Sequence, residues 1–336
     1  MKKGFAVLLV LAACAAMIVS CAAVREPAPE TKAFGAVRVT VLHIADTHGQ
    51  LEPRTVFGKS VGGYARLATM VAEERAAKDV ARVFLVHGGD EFSRGDDLTR
   101  ATLGAANLTI MNYLKFDAWV PGNGDHYDGP VNLLARARQA RFPVLSANVR
   151  VATTGEPIGK PFIIENAGPV RLAFLGLCLV KPDHPSSKLY KAEDPMGIAR
   201  KLVPELRRQA DAVIVLSHLG LSDDEDLARA VPGIDVILGG HSHVVLTEGE
   251  RIKGPDGREV LVCHTGDQLH FLGKLVLAFA KVDGGYRLAS AADKLIPIDA
   301  RVREDAAVKA LIAKLAAEAP KPKPGVKSEV PDPVML

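Results

Sequence analysis

Five apolar runs each end in a short polar segment, and this repetition constrains the fold more than any other feature of the chain. The segments are Asp46-Thr47-His48, Gly89-Asp90, Gly122-Asn123, Ser217-His218 and Gly240-His241-Ser242-His243. Stretches with helical spacing lie among the runs, such as 62–77, with Leu67, Met70 and Val71 on one side and charges on the other. Strands and helices therefore alternate from Val37 to Ser146, the pattern of a largely parallel sheet with helices outside it. Ligands of open α/β sheets gather at the carboxyl ends of strands, and all five segments fall there.

The second half repeats the theme without repeating the sequence. Segments 162–166 and 170–179 read as strands paired about the Gly168-Pro169 turn, and 212–216 and 234–238 as further strands. Segments 259–264, 269–279 and 286–298 read as a closing strand series. Asp194 before Pro195 reads as an N-cap followed by proline at the first helical position. Ser222-Asp223-Asp224-Glu225 reads as a capping box, 98–114 and 305–318 as single helices, and 143–146 as a short strand. Two such halves predict two sheets packed face to face with helices outside.

The segments hold two aspartates, one asparagine and four histidines, side chains that bind hard or borderline divalent cations. In a strand, residues i and i+2 share a side, so Asp46 and His48 are expected to project together, as are His241 and His243. Glycines before Asp90 and Asn123 let the backbone turn sharply beside the site. These donors suffice for two adjacent cations sharing one carboxylate, the arrangement that hydrolyses phosphate esters. A single histidine after a strand is ordinarily a loop or core residue; the weight comes from all five segments in order. His43, His184, His264 and His270 fall outside them and read as structural. Cys178 and Cys263 lie in apolar runs and read as buried free thiols.

In order, spacing and flanks the segments resemble those of the calcineurin-like metallophosphoesterases, within them the periplasmic 5'-nucleotidase and UDP-sugar hydrolase branch. Gly62-Gly63-Tyr64-Ala65-Arg66-Leu67, Leu145-Ser146-Ala147-Asn148 and Leu216-Ser217-His218-Leu219-Gly220 carry the resemblance to that branch. It implies a four-layer α/β/β/α sandwich of two mixed sheets, with residues 37–318 as the catalytic domain. It also implies two divalent ions, with Mn, Zn, Fe, Co and Mg equally open. Asp46, His48, Asp90 and His243 would hold one ion; Asp90, Asn123, His218 and His241 would hold the other. Asp90 would bridge them, and a bridging hydroxide would attack phosphorus in line. The implied substrates are nucleotides or similar small phosphate esters.

The third segment departs from the family, which usually has Gly-Asn-His-Glu/Asp-Phe-Asp. Here Gly124 takes the place of the histidine and Tyr127 that of the aspartate orienting it. That histidine's work is often worth about 10²–10⁴ in rate. His126 with Asp128 is the candidate substitute, and His87 a weaker one. The departure leaves two alternatives: a thiosulfohydrolase-like hydrolase of sulfur esters, and a non-catalytic metal- or nucleotide-binding lipoprotein.

The N-terminus reads as targeting. Lys2 and Lys3 precede an apolar stretch, 4–19, short for a membrane span and ordinary for a secretory signal. Ile18-Val19-Ser20-Cys21 resembles a lipoprotein box, making 1–21 a signal peptide, Cys21 the site of a lipid anchor to the membrane, and 22–36 a tether. The expected location is the periplasm. A formal net charge of only +3 gives no reason to expect nucleic acid as partner. The Pro/Lys-rich segment 319–336 reads as a loose tail.

Overall fold

The strand Ala212–His218 is buried along its whole length, as a strand covered on both faces must be. Its neighbours show which residues face which layer. Ala173, Leu175, Leu177, Val213, Val215 and Ile237 pack with Ala199, Val203 and Leu206 of the helix Pro195–Arg207 and with Leu227 of the helix Leu221–Ala230. The alternate residues Leu172, Phe174, Ile214, Leu216 and Leu238 belong to the other core, between the sheets. There the Phe84 and Phe174 rings, one from each sheet, stand 5.3 Å apart. The period-2 alternation thus splits an apparently uniform apolar run into two cores.

The computed structural model describes residues 37–92 and 94–320. In the first sheet, Val37–Ile44 runs parallel to Arg82–His87, which pairs in parallel with Ala118–Trp119. On its other side Val37–Ile44 pairs antiparallel with Phe271–Val282, followed by Gly285–Ala292 and Leu295–Pro297. In the second sheet, Val170–Cys178, Ala212–His218, Val236–Gly239 and Glu259–His264 are parallel neighbours. Phe162–Ala167 and Glu250–Lys253 close its edges antiparallel. The four-layer α/β/β/α sandwich of two mixed sheets is therefore the observed fold. Segments 1–36 and 321–336, which hold the signal, the tether and all but the first two residues of the tail, lie outside the described residues.

Local differences from the sequence reading have physical causes. The helix expected over 98–114 is two, Asp97–Thr102 and Ala105–Leu114. Leu103 and Gly104 between them both take left-handed backbone, φ 47° and 78°, and a Cβ on Gly104 would lie 2.5 Å from the Phe92 ring. Ser222 does not cap its helix, which starts two residues earlier behind Gly220; Asp224 instead turns inward to accept from Ser217 and meet His264. Segment 143–146 makes only isolated bridges, at Val144 and Leu145. By contrast Asp194 caps its helix as expected, accepting from the Met196 and Gly197 amides.

Candidate metal centre

Each predicted ligand follows the carboxyl end of a strand or closes it. Asp46, His48, Asp90 and Asn123 come from the first sheet, and His218, His241 and His243 from the second. The centre therefore spans the mouth of the sandwich, and neither sheet alone completes it. His218 Nε2 stands 3.3 Å from Asp90 Oδ1 and 3.9 Å from Asp46 Oδ1. His243 Nε2 stands 3.5 Å from Asp46 Oδ1 and 2.9 Å from His48 Nε2, and His48 Nδ1 is 3.9 Å from Asp90 Oδ2. Two groups of ligand atoms, Asp46–His48–His243 and Asp46–Asp90–His218, are each compact enough to surround an ion. The His241 ring lies edge-on to His218 at 5.4 Å.

The i, i+2 pairs do not project together by strand pleating, as the sequence suggested. The strands end at Ile44 and Gly239, and Asp46, His48, His241 and His243 all take left-handed backbone, with φ between 48° and 77°. Asp90 joins them at φ 53°. Positive φ is uncommon outside glycine and costs of order 1–3 kcal/mol per residue. Five such residues converging on one spot mark a site that the surrounding structure is built to hold. Glycine permits the closest approaches: a Cβ on Gly122 would lie 2.1 Å from Asp90 Oδ1 and 2.6 Å from His218 Nε2.

Three buried atoms test whether the donor set fits cations. His218 Nδ1 bonds the Gly88 carbonyl at 2.7 Å, which makes Nδ1 the donor and leaves Nε2 a lone pair. That Nε2 and Asn123 Oδ1 are both buried without a hydrogen-bond partner among the described residues. Asp90, buried among histidines, is the third. Burial opposes its charge, but His218 and His48 hold its carboxyl well below the usual range, and the Gly124 amide donates to Oδ1 at 2.6 Å. Conversely, burial opposes a proton on His218, and Asp90 and Asp46 outweigh it, pushing the imidazole up to about 10. The centre is short of positive charge, which divalent cations would supply.

A family model, that of the calcineurin-like phosphoesterases, matches residues 39–245. The chain belongs to that family. The probable 5'-nucleotidase of Treponema pallidum is 32% identical over 274 residues, covering 73% of this chain and 46% of the relative. A 5'-nucleotidase precursor structure from Thermus thermophilus superposes with TM-score 0.72 at 27% identity, covering 84% of this chain and 59% of the other. A sulfate thiohydrolase structure from the same species gives TM-score 0.72 at 21% identity, covering 83% and 60%, and shows the shared fold alone. The chain spans about half the length of the curated relatives it matches.

In this chain the altered third segment forms a tight 3₁₀ turn, Gly124–His126. His126 is 1% exposed; its Nδ1 bonds the Gly122 carbonyl at 2.6 Å and its ring stands edge-on to Tyr190 at 4.7 Å. Burial pushes the imidazole down to about 4, so it is neutral. Asp128 is exposed, and the structure does not pair it with His126. His87 is fully buried beneath the centre, 2.8 Å from Glu91.

Sequence reasoning missed the parts that hold the centre. Glu91, fully buried, accepts from Thr47, from Tyr64 at 2.6 Å and from Asn107 at 2.9 Å, besides meeting His87. This network ties the Asp46–His48 turn to the one carrying Asp90. Asp125 accepts from the Phe92 and Gly122 amides at 3.0 and 2.8 Å and clamps the Asn123 turn. Tyr127 Oη accepts from Asn123 Nδ2 at 2.7 Å and stacks on His184 at 3.8 Å, which turns Asn123 Oδ1 toward the centre. A charged residue directly after a metal-binding aspartate was the one available signal, in Asp90-Glu91.

Proposed function

We propose that this chain is an exported, dinuclear metal-dependent phosphoesterase that hydrolyses nucleotides or similar small phosphate esters. The observation that carries the reading is the convergence of seven donor side chains from both sheets on one mouth, five of them on strained backbone, with Asn123 Oδ1 buried and unpartnered and His218 Nε2 facing Asp90 and Asp46. Asp46, His48 and His243 would hold one ion, and Asn123, His218 and His241 the other, with Asp90 between them. Two divalent ions at such a site supply Lewis acidity toward the phosphoryl oxygens and an activated water for in-line displacement. The chain's part is to fix them. The Gly88 carbonyl sets the His218 tautomer, Tyr127 aims Asn123, and Glu91 braces the two turns that carry Asp46 and Asp90.

The relatives' nucleotidase names support nucleotides as the substrate class. A cleft of about 420 Å³ opens beside His48 and His243, lined also by Arg54, Arg94, Asp267 and Gln268, and it is of the size that admits a small ligand. Export, and a lipid on Cys21, rest on the N-terminal sequence. His126 remains the proposal for the missing motif histidine; neutral, with Nδ1 on the Gly122 carbonyl, it would have to take up a proton with the bound ester before giving one to the leaving group. His126→Ala tests it: a fall of about 10²-fold or more in turnover of an alkyl ester, with little loss on an activated aryl ester, supports the role. Equal turnover of the alkyl ester by the variant ends it. The function itself is tested by phosphate release in Mn²⁺ from a panel of 5'-nucleotides, nucleotide sugars, sugar phosphates and thiosulfate esters. Preference for 5'-nucleotides supports the proposal; hydrolysis of the sulfur esters alone would replace it.

A further inference from the structure

A second set of metal-binding side chains lies between the sheets and shares no residue with the centre described above. His43, on the strand Val37–Ile44, and Asp293, just after Gly285–Ala292, belong to the first sheet; Cys263, on Glu259–His264, belongs to the second. All three are buried, and one ligand atom from each lies within 4.8 Å of the others. His43 Nε2 meets Asp293 Oδ1 at 3.0 Å.

Two further observations point to a ligand there. The Asp293 side chain is 0% exposed; His43 meets its Oδ1 and the Cys263 thiol hydrogen-bonds the carboxylate, while Oδ2 has no hydrogen bond of good geometry among the described residues. A carboxyl group, an imidazole and a thiol gathered out of water in an apolar core are costly to bury unless their polar atoms are answered, and one metal ion would answer all three. Arg251, whose charge also reaches the Cys263 thiol, is engaged by the Ala291 carbonyl at 2.6 Å and by Glu259 at 3.6 Å. The second observation is a cradle. His43 pairs with Gly273, and a Cβ there would lie 2.1 Å from His43 Nε2. Only a residue without a side chain lets the ring lie across that strand with Nε2 turned toward Asp293.

We propose that His43, Cys263 and Asp293 bind one divalent transition-metal ion of zinc-like character that ties the two sheets together. One thiolate, one imidazole and one carboxylate are borderline-soft donors suited to zinc. On binding, the thiol gives its proton to solvent, the sulfur donates an electron pair to the metal, and nothing is oxidised or reduced. Three protein donors leave the fourth position of a tetrahedral set to a water molecule.

Cobalt(II) is the probe, because a thiolate ligand gives it a charge-transfer band that oxygen and nitrogen ligands do not. The centre at the sandwich mouth has no sulfur, so the band reports this cluster independently of phosphate release. The full chain saturated with Co²⁺ should show it. Cys263→Ser should abolish it, lower bound metal by one ion per chain and leave phosphate release within twofold. Should that variant fail to fold, Asp293→Asn, which keeps the shape, should raise the Co²⁺ concentration needed for half the band at least tenfold. A cobalt-saturated wild-type chain without the band, or a band that survives Cys263→Ser, would overturn the proposal and leave a hydrogen-bonded cluster only.

Discussion

At the residue scale, each ligand's aim depends on a neighbour that does not touch metal. Tyr127→Phe removes the hydroxyl that holds Asn123 Nδ2. Partners of this kind are worth about 10–100-fold in metal affinity, so the variant should lose one ion more readily than the other, read by two-step metal titration. Gly122→Ala should be worse than its single methyl suggests, because the Cβ would meet both Asp90 and His218; metal binding should fail while the circular dichroism spectrum is kept. His126 makes a pH prediction. Its folded pKa, about 4, lies below the unfolded value of 6.5, so the unfolded chain takes the proton first as pH falls. His126 therefore costs no stability above pH 6.5 and progressively more between 6.5 and 4, up to about 3 kcal/mol. His126→Phe, the residue the family motif has there, should flatten urea-derived stability across that window by this amount.

At the element scale, the strands that present the ligands are held by buried polar networks as well as by apolar packing. Glu91 has four partners and no exposure. Removing one side of such a network leaves the others unanswered, and Glu91→Ala should cost about 3–5 kcal/mol in urea denaturation. The strand ends were legible in the sequence because β-branched runs stop abruptly at polar residues. The route from strand end to ligand was not. Pleating predicted that Asp46 and His48 share a side, whereas both reach the centre through left-handed turns. Such turns are set by tertiary hydrogen bonds, such as those from the Asp46 and His48 amides to the Gly89 and Asp90 carbonyls at 2.8 and 2.9 Å, and no periodicity encodes them. The split at Leu103-Gly104 was hidden likewise, because the Phe92 ring that leaves room only for glycine at 104 comes from another segment.

At the scale of the whole molecule, the sandwich keeps its ligands in two halves. The seven candidate metal ligands stood out in the sequence because their types and order are chemically unusual, and the fold brings them to one mouth. Their brace was not, because Glu91, Tyr64 and Asn107 look like ordinary residues until the fold brings them together. Ions held by donors from both sheets would bind only the closed sandwich, so they should stabilise it by mass action. At metal a hundredfold above its dissociation constant the gain is about 2.7 kcal/mol, a rise of roughly 4–5 °C in melting temperature for a chain of this size. The central claim is that both sheets' ligands act together on phosphate esters through Asp90. Its most direct test is phosphate release from a 5'-nucleotide by chelator-stripped protein as Mn²⁺ is added back, wild type against Asp90→Asn. Activity should appear as a second ion per chain binds, with at least a hundredfold loss in the variant. Full activity with one ion, or in Asp90→Asn, would contradict it.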